Sequence, residues 1–348
     1  MTLLLLLSFL LAPADWERYI AVDNVCAWPN LKLLPNGTLA AVLFNKPSHG
    51  REPGHVEVWT SRDGGKLWSL AGVPAPHALG STRLNHAAGL AHDGSLVVVV
   101  SGTQLDRTRD RILPLVASRS TDNGRTWTRS DKFTLPAEVD YLIPFGDIVQ
   151  LPGSTLAASF YHANTLTAVS TGLKPAPATP QNTAFVLFSR DDGRSWGDPV
   201  VLGKDHFNES TLLRLTPDRW LAAVRTLSPQ RLDLFTSADE GRTWINTGPV
   251  TQPTEMPASL LRLKDGRVLL TYGIRRQGGR GVGVRVSADQ GKTWGPPRQI
   301  VHLGDRSDNG YPSTVELADG TLVTAYYSSG IAEHQRYHMG ILRWRLTE

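Results

Sequence analysis

One eight-residue motif, Ser-x-Asp-x-Gly-x-Thr/Ser/Leu-Trp, occurs five times in this chain, at residues 61–68, 120–127, 189–196, 237–244 and 287–294. A repeat spaced by roughly 50 to 70 residues points to a radial β architecture, because a unit of that length cannot bury its own apolar faces and must stack on its neighbours. Each copy reads as a hairpin turn. A strand ends at the Ser, the Asp carboxylate accepts turn amides, the Gly takes positive φ and the Trp packs back over the hairpin base. A carboxylate committed to turn amides is poorly placed for proton transfer, so the motif is structural.

A second repeat counts the units. Asn36-Gly37, Asp93-Gly94, Gly153-Ser154, Pro217-Asp218, Asp265-Gly266 and Asp319-Gly320 are six turn signals, each followed by an apolar strand such as 96–100 or 322–327. The expected fold is therefore all-β, a six-bladed β-propeller of four-stranded antiparallel blades. Five blades carry the motif between their last two strands. The sixth, ending near residues 339–346, runs out of chain, and the segment at 19–23 is expected to supply its closing strand and remove an open edge. Residues 15–348 then form one domain, with the Pro-rich stretch 171–180 an excursion over one face.

The net charge of +4 is spread through the turns, which excludes a nucleic-acid surface. The ten His residues lack paired ligand spacing and no phosphate-cradling Gly loop occurs, so neither a metal nor a cofactor is expected. Residues 3–11 form an apolar run followed by Ala12-Pro13-Ala14, the pattern of a cleaved export signal covering 1–14. The run is too short to span a bilayer, which needs about 20 residues, so no stable membrane insertion is expected and the product is secreted or periplasmic. The lone Cys26 cannot form an internal disulfide.

With these repeats the chain resembles the sialidases and sialidase-like proteins that carry Asp-box (BNR) repeats. Gly310-Tyr311-Pro312-Ser313, ahead of Asp319-Gly320, is similar to the family's nucleophile segment, and Asn208-Glu209-Ser210 is similar to the segment of its partner carboxylate. The resemblance implies Tyr311 as nucleophile and Glu209 as its base. Of the family's three carboxylate-gripping arginines it implies Arg225 as the second and Arg280 as the third, with Arg276 a near alternative. Two places depart from the family. Where it has its first arginine this chain reads Cys26-Ala27-Trp28-Pro29. Where it has its acid/base Asp the loop 46–55 offers His49, with Glu52 nearby. An imidazole can serve as acid or base near neutral pH. Asn85, His86, Asp147 and His162 are further candidates for the pocket lining.

The expectation is an exo-glycoside hydrolase acting on a terminal, acidic sugar of a glycan or oligosaccharide. Two rivals stand beside it. A polysaccharide lyase would use His49 and Tyr311 as base and acid on a uronate. A non-catalytic glycan-binding propeller would recognise without transforming.

Overall fold

The computed structural model describes residues 16–25, 28–106, 111–165, 167–168, 181–304 and 308–346. The export signal, Cys26, Ala27 and the Pro-rich stretch 171–180 lie outside the described residues. Among those residues all regular structure is β, and no helix is long and apolar enough to cross a membrane.

The strands fall into six antiparallel units. After β1 (Glu17–Asp23), the first unit holds β2 (Asn30–Leu33), β3 (Leu39–Phe44), β4 (Val56–Ser61) and β5 (Ser69–Ala75). The second holds β6 (Ser81–Leu90), β7 (Leu96–Gln104), β8 (Arg111–Ser120) and β9 (Thr128–Ser130). The third holds β10 (Ile143–Gln150), β11 (Leu156–Ala163), β13 (Asn182–Ser189) and β14 (Gly197–Gly203), with the two-residue β12 (Thr167–Ala168) set against β8. The fourth is β15 (Phe207–Thr216), β16 (Arg219–Thr226), β17 (Leu232–Ser237) and β18 (Ile245–Pro249). The fifth is β19 (Glu255–Arg262), β20 (Val268–Ile274), β21 (Gly281–Ser287) and β22 (Arg298–His302). The sixth is β23 (Asn309–Glu316), β24 (Leu322–Ser328) and β25 (His338–Trp344), completed by β1, which pairs antiparallel with β25. All six turn signals lie between the first two strands of a unit, and all five repeated motifs between the last two.

Four units are separate four-stranded sheets. The second and third are fused into a nine-stranded sheet, where separate blades were expected. The cause is a parallel pairing of β6 with β10 at Ala87–Gly146, Ala88–Asp147 and Gly89–Ile148. A Cβ on Gly89 would stand 2.2 Å from the Ile148 carbonyl oxygen, so only glycine lets the two backbones approach this closely.

The middle strands are apolar on both faces because both faces are covered. On β3, Leu39, Ala41 and Leu43 pack with Val315, Val323 and Ile341 of the sixth unit, while Ala40 and Val42 pack with Ala88, Val98 and Val100 of the second. The two-residue period of a strand thus sends alternate side chains into two different cores. The same holds around the molecule, with further clusters between the second and third, third and fourth, fourth and fifth, and fifth and sixth units. The first strands meet in the same cyclic order, β2 with β6, β6 with β10, β10 with β15, β15 with β19, β19 with β23, and β23 with β2.

The repeated turns lock these contacts. In the first copy the Ser61 hydroxyl donates to Asp63 at 2.7 Å, Asp63 accepts the Lys66 and Leu67 amides, and the Trp68 indole donates to the Gly65 carbonyl at 2.8 Å. Gly65 has φ +94°, and a Cβ there would press on Val323 of the neighbouring unit at 3.2 Å.

Candidate active site

The site arises from an irregularity that the units share. In five of the six first strands the antiparallel ladder skips two residues near the strand start: Leu84-Asn85, Gly146-Asp147, Asn208-Glu209, Met256-Pro257 and Tyr311-Pro312. Trp28-Pro29 stands at the corresponding place just before β2. A bulge re-aims the side chains it carries, and here it turns residues from units remote in sequence toward the common centre. A central cavity is lined from five units, among them by Trp28, Asn85, His86, Phe145, Asp147 and Tyr311.

Two of these bulges bring Glu209 and Tyr311 together. The Tyr311 hydroxyl donates to Glu209 Oε1 at 2.6 Å, and Arg225 Nη1 donates to Glu209 Oε2 at 2.6 Å. Tyr311 and Glu209 are 6% and 7% exposed, so the ion pair and phenol are screened from water. Tyr311 has φ +49°, a left-handed backbone that a bulky side chain adopts only when its surroundings hold it there. Those surroundings are edge-on contacts from Trp28 and Phe145, with ring centroids at 5.7 and 5.6 Å, and a tilted one from Tyr327 at 5.8 Å.

Burial raises the Tyr311 hydroxyl well above the ordinary phenol value, and the Glu209 charge adds to the rise. The phenol is therefore neutral at rest, with its proton directed at Glu209. Burial opposes the charge of Arg225, but the Glu209 carboxylate outweighs it and keeps the guanidinium protonated.

Beside this pair stands Arg275, which follows the last residue of β20. Its Cζ lies 5.3 Å from the Tyr311 ring centroid and its Nε donates to the Asn309 carbonyl at 3.1 Å. Arg275 Nη2 and Arg225 Nε are buried donors with no hydrogen-bond acceptor among the described residues. Sequence reasoning passed over Arg275 in favour of its neighbours. Arg276, alternating to the other side of the chain, binds Glu255 at 2.6 Å and is half exposed. Arg280 stands at the far end of the same hairpin connection, its carbonyl accepting the Leu303 amide at 2.9 Å and the Gln299 side-chain amide at 3.0 Å. The Arg275-Arg276 dipeptide at a strand end was the available signal; alternation decides which member faces in.

His49 lies in the loop between β3 and β4, its ring 4.9 Å edge-on from Trp28. Its Nδ1 is 3.1 Å from Asp308 Oδ2, and Asp308 also accepts the hydroxyls of Tyr327 and Tyr337, both at 2.9 Å. Burial opposes ionisation of Asp308, yet the hydrogen bonds from His49, Tyr327 and Tyr337 prevail and hold its pKa down at about 2. Sequence reasoning missed Asp308, Tyr327 and Tyr337. Glu52 is exposed on the same loop as His49. Asp147 is taken up by Lys32 and by the Thr211 hydroxyl at 2.8 Å, which makes it a strut of the central cavity. Asn85 is half-buried on the cavity wall, His86 is buried with Nδ1 donating to the Leu84 carbonyl, and the His162 ring lies tilted against Tyr141 with centroids 4.5 Å apart.

The family model described as BNR repeat-like domain matches residues 37–324. The chain belongs to the BNR repeat-like family. No curated protein matches this BNR protein in sequence. Among solved structures, a Dyadobacter fermentans protein of unknown function superposes with TM-score 0.78 at 19% identity, covering 95% of this chain and 98% of that one. Trypanosoma rangeli sialidase superposes with TM-score 0.67 at 15% identity, covering 96% of this chain and 60% of the sialidase. NanB sialidase from Streptococcus pneumoniae gives TM-score 0.68 at 12% identity, covering 94% and 70%. The BNR protein thus has a sialidase-like all-β fold and spans about three-fifths of the length of the trypanosomal enzyme.

Proposed function

We propose that this protein is an exported sialidase-like exo-glycoside hydrolase that removes a carboxylate-bearing terminal sugar from a glycan, with Tyr311 as nucleophile and Glu209 as its base. On this reading residues 15–348 are one six-bladed β-propeller, each antiparallel unit a blade. The cyclic contact of the first strands and the closure of the sixth unit by β1 support it. The apolar run at 3–11 supports export to the periplasm or the exterior, with 1–14 removed.

The observation that carries the proposal is the 2.6 Å contact between the Tyr311 hydroxyl and a Glu209 carboxylate whose other oxygen is held by Arg225. A neutral phenol suits an anionic sugar, since it approaches the reacting carbon without repelling the substrate's carboxylate. As Glu209 takes the phenolic proton, the oxygen attacks the anomeric carbon and forms a glycosyl-enzyme intermediate. His49, on the Trp28 side of Tyr311, protonates the departing oxygen and then takes a proton from the incoming water. Arg275 Nη2 and Arg225 Nε are the donors left for the substrate carboxylate, a demand that buried unpaired N–H groups make of any ligand. Trypanosoma rangeli sialidase has been captured as a covalent intermediate with 2,3-difluorosialic acid, which makes the same route reasonable for this fold.

The test is incubation with a panel of oligosaccharides ending in acidic or neutral sugars, read by mass spectrometry and ultraviolet absorbance. A hydrolase releases a terminal sugar with the mass of one added water, and Tyr311→Phe lowers turnover on the order of a thousandfold or more while substrate still binds. An ultraviolet-absorbing double bond in the product would instead mark a lyase, and binding without turnover a recognition protein.

A further inference from the structure

We infer that Asp308 is the positioning residue of His49: it fixes the imidazole in the tautomer protonated on Nδ1, which leaves Nε2 to exchange a proton with the glycosidic oxygen. The inference rests on the hydrolase reading for its catalytic consequence and on geometry alone for the tautomer.

Asp308 stands three residues before Tyr311 on the approach to β23, and its backbone is pinned at both polar atoms. Its amide donates to Ser329 Oγ at 2.7 Å and its carbonyl accepts the Ser329 amide at 2.8 Å. Its carboxylate accepts Tyr327 on one oxygen and Tyr337 and His49 on the other. An ionised carboxylate offers only acceptors, so a neutral ring whose Nδ1 lies 3.1 Å from it must carry its hydrogen there. Among the described residues Nε2 of His49 has no hydrogen-bond partner, while the ring edge rests against Trp28, itself edge-on to Tyr311. The loop of the first unit is thus tied to the nucleophile strand of the sixth.

A role in stability alone accounts poorly for this arrangement. The side chains of His49 and Asp308 are 46% and 37% exposed, so water screens their contact and it adds little to the stability of the fold. Yet three side chains from three places in the chain converge on the one carboxylate. His49 enters the first step as the imidazolium, with hydrogen on both ring nitrogens: the Tyr311 proton passes to Glu209, the Tyr311 oxygen bonds to the anomeric carbon, the bond to the leaving oxygen breaks, and that oxygen takes the Nε2 proton, which leaves the neutral Nδ1–H ring on Asp308. In the second, water bonds to the same carbon and gives a proton to Nε2, the bond to Tyr311 breaks, and Glu209 returns the proton to the phenol. Both steps need the working nitrogen to be Nε2.

The experiment is nitrogen-15 NMR of the ring of His49 in the full chain at alkaline pH, assigned with His49→Gln. Hydrogen on Nδ1 is the expected result; hydrogen on Nε2 would overturn the inference, and no variant of Asp308 is needed to read it. In Asp308→Asn the amide can donate to Nδ1, and the ring is expected to move to the Nε2–H form. If that variant keeps the parent's tautomer, Asp308 does not set it. For the catalytic consequence, kcat/KM is compared on a sialyl-oligosaccharide and on a nitrophenyl sialoside, whose leaving group departs without a proton. Asp308→Asn should cost about a hundredfold on the first and much less on the second, as loss of general-acid assistance does. Equal losses on both would contradict positioning. A parent that cleaves neither probe sinks the hydrolase reading, while the ring tautomer still decides between Asp308 and no Asp308 control.

Discussion

Tyr311 and Glu209 lie 102 residues apart in the chain, and the Tyr311 hydroxyl stands 2.6 Å from the Glu209 carboxylate. Both occupy the two-residue bulge that recurs at the start of the first strands, Tyr311 as its first residue and Glu209 as its second, so a structural repeat has brought two chemically different side chains to one centre. The left-handed backbone at Tyr311 stores strain on the order of 1 kcal/mol or more, and the contacts from Trp28, Phe145 and Tyr327 are what hold it. Such strain at a pre-set pair is consistent with a site built for chemistry.

The repeated turn motif is expected to matter for stability and not for catalysis. Asp122 accepts the Arg125 and Thr126 amides at 3.1 and 2.9 Å and the Ser120 and Thr126 hydroxyls at 2.8 and 2.7 Å. Those hydrogen bonds hold Gly124 against Val58 of the preceding unit, where a Cβ would come within 2.9 Å. Asp122→Ala should therefore lower the unfolding free energy by about 1–2 kcal/mol, measured by denaturant titration, and leave kcat/KM of the folded protein unchanged. A loss of activity without a loss of stability would count against the structural role.

His86 gives the protein an acid sensitivity of its own. Burial of the imidazole at the wall of the central cavity lowers its pKa from 6.5 to about 4, against the opposing hydrogen bond to Leu84. The unfolded chain takes up a proton on this residue near pH 6.5 that the folded chain refuses until pH approaches 4. Its contribution is thus fully present above pH 6.5 and is lost as pH falls toward 4, by on the order of 3 kcal/mol. Unfolding free energy measured across that window should fall less steeply in His86→Gln than in the parent; equal slopes would show that the ring titrates normally in the fold.

How much of this was legible depended on how local each signal is. The turn Asp residues, the positive-φ glycines and the placement of every hairpin follow from short segments, and residues 19–23 could be assigned to the sixth unit because that unit was one strand short. The fusion of the second and third units could not, since it hangs on a backbone approach between Gly89 and Ile148, 59 residues apart. Glu209, Arg225 and Tyr311 were named from a family resemblance, and the structure brings them into one cluster. Arg275 was passed over because the end of β20 is not marked in the sequence, and with it the phase of alternation that turns Arg275 inward and Arg276 toward Glu255. Asp308 carries no local signal at all. Its place is set by Ser329, Tyr327, Tyr337 and His49, which only the closed fold assembles.

The claim that Tyr311 attacks the sugar is tested most directly by trapping. Treatment with a 2,3-difluorinated sialosyl fluoride, followed by intact-mass measurement and peptide mapping, should place one glycosyl group on the Tyr311 oxygen in the parent protein and none in Tyr311→Phe. An adduct on any other residue, or cleavage of sialosides by the parent with no adduct on Tyr311, would contradict it.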